Sequence, residues 1–139
     1  MKKIIFKTPH ALASAFAKQL VNLTSDKEVI HVALSGGSTP KLLFEILATT
    51  HKNNDWSRIR FYWGDERCVS PCDSQSNYLM AKKLFFNPAN IASEHIFRML
   101  GENDPKQEVE RYGDLLYKLL PIVNDLPCFD LVYLGMGED

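Results

Sequence analysis

Apolar and polar positions along the chain divide it into alternating strand-like and helix-like segments. Residues 11–23 carry Leu12, Ala15, Phe16, Leu20 and Leu23 at helical spacing, and Thr8-Pro9 before them is a helix start signal. Residues 29–34 (Val29-Ile30-His31-Val32-Ala33-Leu34) form a nearly unbroken apolar run rich in β-branched side chains, as in a strand covered on both faces. A helix is expected over 41–50, with Thr39 as its N-cap and Pro40 at its first position. Ile59–Trp63 reads as a second strand ended by Gly64, and 78–86 as a helix closed by Asn87-Pro88. Residues 95–99 are a short strand candidate. A helix over 105–120 places Val109, Tyr112, Leu116 and Leu119 on one face, with Pro121 beyond it, and 129–134 forms the last strand. Strands alternating with helices predict an α/β fold: a doubly wound, mostly parallel sheet of Rossmann type with helices on both faces, in a single domain over 1–139.

In such sheets ligands bind beyond the carboxyl ends of the strands. Three loops leave those ends: 35–40, 64–77 and 135–139. The first, Ser35-Gly36-Gly37-Ser38-Thr39-Pro40, joins a strand to a helix through adjacent glycines. Lacking Cβ atoms, these let the backbone turn sharply and approach a ligand, while the N–H groups and dipole of the following helix favour a phosphate or carboxylate. The second begins Trp63-Gly64-Asp65-Glu66-Arg67. Arg67 is suited to a phosphate or carboxyl edge, and Asp65 or Glu66 to general-base work or a sugar hydroxyl. The same charges would also suit a loop-tip ion pair. Asp73-Ser74-Gln75-Ser76-Asn77 reads as a helix-capping cluster, in which Asn77 is a further candidate for the site. The third loop, Gly135-Met136-Gly137-Glu138-Asp139, opens like a dinucleotide fingerprint but shows neither its third glycine nor its acid.

Composition narrows the field. The 139 residues are 45% hydrophobic and 24% charged, with a formal net charge of -1, so the chain is globular and has no basic surplus for nucleic acid. No apolar run approaches a membrane span, and Ile4-Ile5-Phe6 is too short for a signal peptide. Cys68, Cys72 and Cys128 read as free thiols of a reducing compartment, which makes the cytoplasm the expected location. Cys68 and Cys72 lack a second ligand pair at zinc spacing, so no metal is expected. His10, His51 and His95 fall at element edges and read as solvated, whereas His31, Trp56 and Trp63 read as packed side chains. No Gly-x-Ser-x-Gly elbow is present.

Taken together, the glycine loop, Trp63-Gly64-Asp65-Glu66-Arg67 with Ser76-Asn77, and the stretch from Phe129 to Asp139 resemble the 6-phosphogluconolactonases, in their order and spacing and over essentially the whole chain. Arg98 and the following Gly101-Glu102 also fit. The related glucosamine-6-phosphate deaminase/isomerases carry Asp-Glu-Tyr where this chain has Asp65-Glu66-Arg67. The resemblance implies hydrolysis of 6-phosphoglucono-δ-lactone by base-activated water, with no metal or organic cofactor. It implies a catalytic set of Asp65, Glu66 and Asp139. Substrate and phosphate would be held by Ser35, Gly36, Gly37, Ser38, Thr39, Arg67, Asn77, Arg98, Gly135 and Gly137. The expected partner is a phosphorylated sugar lactone, with no nucleic acid or membrane and a possible homo-oligomer. In the family the last motif continues into Gly-His-Thr-Ala-Ser-Leu-Phe, whose histidine is the general base. This sequence stops at Asp139, and the expectation is an N-terminal portion of a longer lactonase, inactive alone and with apolar surface uncovered. The alternatives are a deaminase/isomerase using Asp65 as carbon-proton base, a sugar-phosphate-sensing module, and a nicotinamide-dependent oxidoreductase.

Overall fold

The structure is a computed structural model that describes residues 3–24 and 28–135. Its elements are α1 (Pro9–Leu23), β1 (Ile30–Leu34), α2 (Ser38–Thr50), β2 (Ile59–Trp63), α3 (Asn77–Ala81), α4 (Pro105–Leu119), β3 (Ile122–Val123), β4 (Leu126–Pro127) and β5 (Leu131–Val132). β2, β1 and β5 lie side by side in that order, both pairings parallel, while β3 and β4 form a separate antiparallel hairpin. Ile30 pairs with Ile59 and Leu34 with Trp63, so β1 and β2 end level with one another.

Period-two alternation splits the strand side chains between two faces. Ile30, Val32, Leu34, Ile59, Phe61 and Trp63 join one core with Ala13, Ala17 and Leu20 of α1 and with Leu43, Phe44 and Leu47 of α2. Phe85 centres this core, with ring contacts to Phe44, Trp56, Phe61 and Phe86 at 5.1–6.3 Å. On the other face, buried Tyr62 stacks on Phe97 and meets Phe129 edge-on. Its hydroxyl lies 3.1 Å from Nδ1 of the buried His31, and desolvation pushes the Tyr62 hydroxyl up to about 12. The expected packing of His31, Trp56 and Trp63 is observed.

Several boundaries differ from the sequence reading. α1 starts at Pro9, two residues before 11, because the Thr8 hydroxyl accepts the Ala11 N–H and caps it there. The N-cap of α2 is Gly37, not Thr39: at φ 105° it turns the chain in a region open to glycine, and the Lys41 N–H closes the first turn on its carbonyl. Pro40 therefore occupies the third helical position, still within the turn whose N–H groups lack helical acceptors. The helix over 78–86 is α only to Ala81 and continues as a π-helix, Lys82–Phe86, which sets Phe85 and Phe86 side by side in the core.

The strand expected over 95–99 does not form. A 3₁₀ turn, Ser93–His95, leads to one parallel bridge between Ile96 and Phe61; the next carbonyl, Phe97 O, is taken by the Tyr112 hydroxyl. His51 and His95 are half-buried, and desolvation lowers the His95 pKa. The last strand is shorter than 129–134, although Asp130 and Tyr133 N–H still donate to His31 and Ala33 carbonyls of β1. On α4 the inward residues are Glu108 and Tyr112, while Val109 is 73% exposed. The β3–β4 hairpin was not anticipated; Asn124 and Asp125, both at positive φ, form its turn.

Candidate functional site

Level strand ends bring two of the three loops together. Gly64 N–H donates to the Leu34 carbonyl at 2.9 Å, and one residue later Ser35 Oγ donates to Asp65 Oδ1 at 3.4 Å. Asn77 lies across them. Its Nδ2 donates to the Asp65 carbonyl oxygen and to Asp65 Oδ2, both at 3.2 Å. A Cβ on Gly36 would overlap Asn77 Oδ1, so only glycine permits this approach of loop to side chain. The Asp65 carboxylate is thus held on both oxygens yet stays exposed, whereas Asn77 is 5% exposed.

The third loop meets the first at Gly135, where a Cβ would lie 4.0 Å from Ser35 Oγ. Ser35, Thr39, Tyr133 and Gly135 border a largely apolar cavity of about 250 Å³ between α1, α2 and the end of β5. Tyr133 donates its hydroxyl to the Phe16 carbonyl, and burial raises its pKa. Gly137 and Asp139, both expected in the site, lie outside the described residues.

Glu66 is half-buried, and both of its carboxylate oxygens are engaged by the protein. Its Oε1 accepts the N–H groups of Arg67 and Asn77 at 2.8 and 2.7 Å, and its Oε2 accepts the Ser76 hydroxyl and the Tyr78 N–H at 3.0 and 2.9 Å. Ser76 in turn caps α3 by accepting the Leu79 N–H. Arg67 is exposed, and its guanidinium has no partner among the described residues. Arg98 is engaged: it forms a two-pronged pair with Glu102 at 2.7 and 2.9 Å and lies over the Tyr78 ring at 5.4 Å. The Arg98 hydrogen bonds hold the Glu102 carboxyl down at about 2.

A second ring of residues fixes these loops; Gly101 in it fits the resemblance, whereas the parts of Glu108, Arg111 and Tyr112 were missed in the sequence. The Tyr112 hydroxyl accepts the Trp63 N–H at 3.0 Å and donates towards the Trp63 and Phe97 carbonyls. Glu108, paired with Arg111, accepts the Leu100 N–H at 2.7 Å, and Arg111 donates to the Arg98 carbonyl at 3.2 Å. Gly101 sits where a Cβ would overlap the Arg67 carbonyl oxygen, so the 98–103 loop rests directly on the Arg67 loop. Gly101 was the available signal, but its partner Arg67 is remote in sequence, as Trp63 is from Tyr112, whereas Glu108 bonds nearby to Leu100, Asn103 and Arg111. No group of three or more His, Cys, Asp or Glu side chains able to hold a metal occurs among the described residues. Cys68, Cys72 and Cys128 are free thiols, and no helix among the described residues is long and apolar enough to cross a membrane.

The family profile described as glucosamine-6-phosphate isomerases/6-phosphogluconolactonase matches residues 7–139. The chain belongs to this family. A 6-phosphogluconolactonase of Treponema pallidum is 39% identical over the whole chain, which spans 58% of that protein's length. Among solved structures, the devB protein superposes with a TM-score of 0.92 at 41% identity, covering 96% of this chain and 57% of its own. The 6-phosphogluconolactonase of Trypanosoma brucei superposes with a TM-score of 0.83 at 29% identity, covering 96% and 59% respectively. These likenesses establish the α/β, Rossmann-like class for this chain.

Proposed function

We propose that this chain supplies the sugar-phosphate-binding part of a 6-phosphogluconolactonase, which adds water to 6-phosphoglucono-δ-lactone to give 6-phosphogluconate in the oxidative pentose phosphate pathway of the cytoplasm. The observation that carries the reading is the Asp65 carboxylate, gripped by Ser35 and Asn77 at the mouth of the strand ends yet open to a ligand. Beside it, the Gly37, Ser38 and Thr39 N–H groups begin α2 without helical acceptors and suit a dianionic phosphate. Arg67 offers a forked cation whose guanidinium donors have no acceptor among the described residues. Arg98, bound to Glu102, contributes positive field rather than a free fork. Gly36 and Gly135 let backbone approach the sugar closely, and Gly137 and Asp139, which follow in the sequence, complete the proposed set.

In the reaction, water attacks the lactone carbonyl, the ring C–O bond breaks, and the ring oxygen leaves as a hydroxyl after taking a proton. Asp65 orients a sugar hydroxyl, and N–H donors stabilise developing oxyanion charge. Of the four histidines, none follows a strand-end loop: His31 is packed in β1, and His10, His51 and His95 lie at other element edges. The chain by itself is therefore expected to bind the product without appreciable turnover. The test is titration of the ¹⁵N-labelled chain with 6-phosphogluconate, glucosamine 6-phosphate and inorganic phosphate. Saturable shifts at the 36–39 amides and the Asn77 side-chain amide, strongest with 6-phosphogluconate, are expected. A response no greater than that to inorganic phosphate would overturn the reading, and ammonia release from glucosamine 6-phosphate would replace it with the deaminase.

A further inference from the structure

Asp65 and Glu66 are adjacent acids at the end of β2, yet their surroundings are opposite. Asp65 keeps an exposed carboxylate. Glu66 has two donors on each oxygen, from Arg67 and Asn77 on one and from Ser76 and Tyr78 on the other. With two donors on each oxygen, this carboxylate is taken up by the protein itself rather than turned towards a ligand. What it has instead is reach: three of the four donors belong to consecutive residues at the start of α3, eleven positions from their acceptor in the case of Asn77.

We infer that Glu66 is a positioning residue for the sugar-phosphate site, acting through Asn77 on both Asp65 and the glycine loop; the inference rests on the reading above. By tying the Asn77 N–H to the Asp65–Arg67 turn, Glu66 sets where the Asn77 amide points. That amide then holds the Asp65 carboxylate and fills the space over Gly36. The same carboxylate accepts the Arg67 N–H, so it also fixes the backbone from which the guanidinium extends. One half-buried contact point therefore sets the relative placement of an acid, a cation and an anion-binding loop. Glutamine at this position would turn one acceptor into a donor facing N–H or O–H groups, and the hub would open.

The experiment compares Glu66→Gln, Glu66→Asp and Ile59→Val in the same chain. Ile59 is buried at the opposite end of β2, so its truncation is a control for lost stability remote from the site. In the ligand-free chain, Glu66→Gln is expected to shift the Asn77 side-chain amide and Gly36 resonances and to speed hydrogen exchange at the Asn77 and Tyr78 N–H groups. Ile59→Val should leave all of these in place. With 6-phosphogluconate, Glu66→Gln should weaken affinity at least tenfold, Glu66→Asp should recover part of it, and Ile59→Val should match the parent. Unchanged Asn77 and Gly36 signals, or an affinity loss shared equally by Ile59→Val, would overturn the inference. Should Glu66→Gln fail to fold, Glu66→Asp carries the same comparison at smaller amplitude. If the parent chain binds no 6-phosphogluconate, the proposed function fails, while the ligand-free signals still decide whether Glu66 sets Asn77.

Discussion

The two flanks of β1 are built to different standards. Towards β2, five registered pairs run the full length of both strands, and only Arg60 among those ten residues is not buried. Towards β5, pairing is confined to Val32–Leu131 and Ala33–Val132, and beyond it Leu134 is 83% exposed. The hairpin before β5 exposes Ile122, Val123 and Leu126 as well. The candidate site follows this asymmetry. Ser35, Asp65, Glu66 and Asn77, with their mutual hydrogen bonds, stand on the β1–β2 flank, and the β5 flank adds Gly135 at the rim. A site holds its geometry when the elements beneath it are packed, and here the packed flank carries the charged groups.

Substitutions can break this contrast, and the largest effect is expected at its centre. Phe85→Ala removes a fully buried ring in contact with four other aromatic rings and should cost about 3–5 kcal/mol in denaturant unfolding. A loss under about 1 kcal/mol would mean the β1–β2 flank is looser than its burial implies. Gly36→Ala forces a Cβ onto Asn77, an overpacking that should cost about 1–3 kcal/mol and move the Asn77 side-chain amide signal. A parent-like spectrum would show that the loop yields without consequence for the site.

A third substitution probes α4, whose Glu108 holds the 98–103 loop. The Arg111 hydrogen bonds keep the Glu108 carboxyl below its usual value of 4.5. A lowered native value means that the stabilisation is complete above the unfolded value and is lost as pH falls below about 4.5 through the native one. Glu108→Gln should therefore lower stability at pH 7 and flatten its fall between pH 5 and pH 3, as measured by unfolding at each pH; an equally steep acid limb would assign that fall to other carboxylates. The smallest effect belongs to the open flank: Leu134→Ala should change stability by no more than about 0.5 kcal/mol. A larger loss in thermal melts would reveal packing at β5 beyond what its exposure indicates.

Local patterns made much of this legible. The apolar run at 29–34 and the glycines at 36 and 37 announced β1 and the turn into α2, since continuous hydrophobicity and missing Cβ atoms act within a few residues. The juxtaposition of Ser35 with Asp65 followed from the parallel α/β order alone. Competition for hydrogen bonds was not legible. Residues 95–99 read as a short strand candidate, but whether Phe97 O joins a sheet or meets Tyr112 depends on a side chain fifteen residues further along, in α4. In the same way, Glu66 is an acid beside an acid in the sequence, and only its four donors separate its part from that of Asp65.

The bond from the Tyr133 hydroxyl to the Phe16 carbonyl spans 117 residues, and the backbone bond between His31 and Asp130 spans 99. Contacts of such separation close late, because the intervening chain must give up its freedom before they form. On a translating ribosome α1, β1, α2 and β2 emerge with their shared core already available, whereas β5 docks only after everything before it has been made. β5 thus works as a clasp, shut after the half it closes over, which can assemble without it.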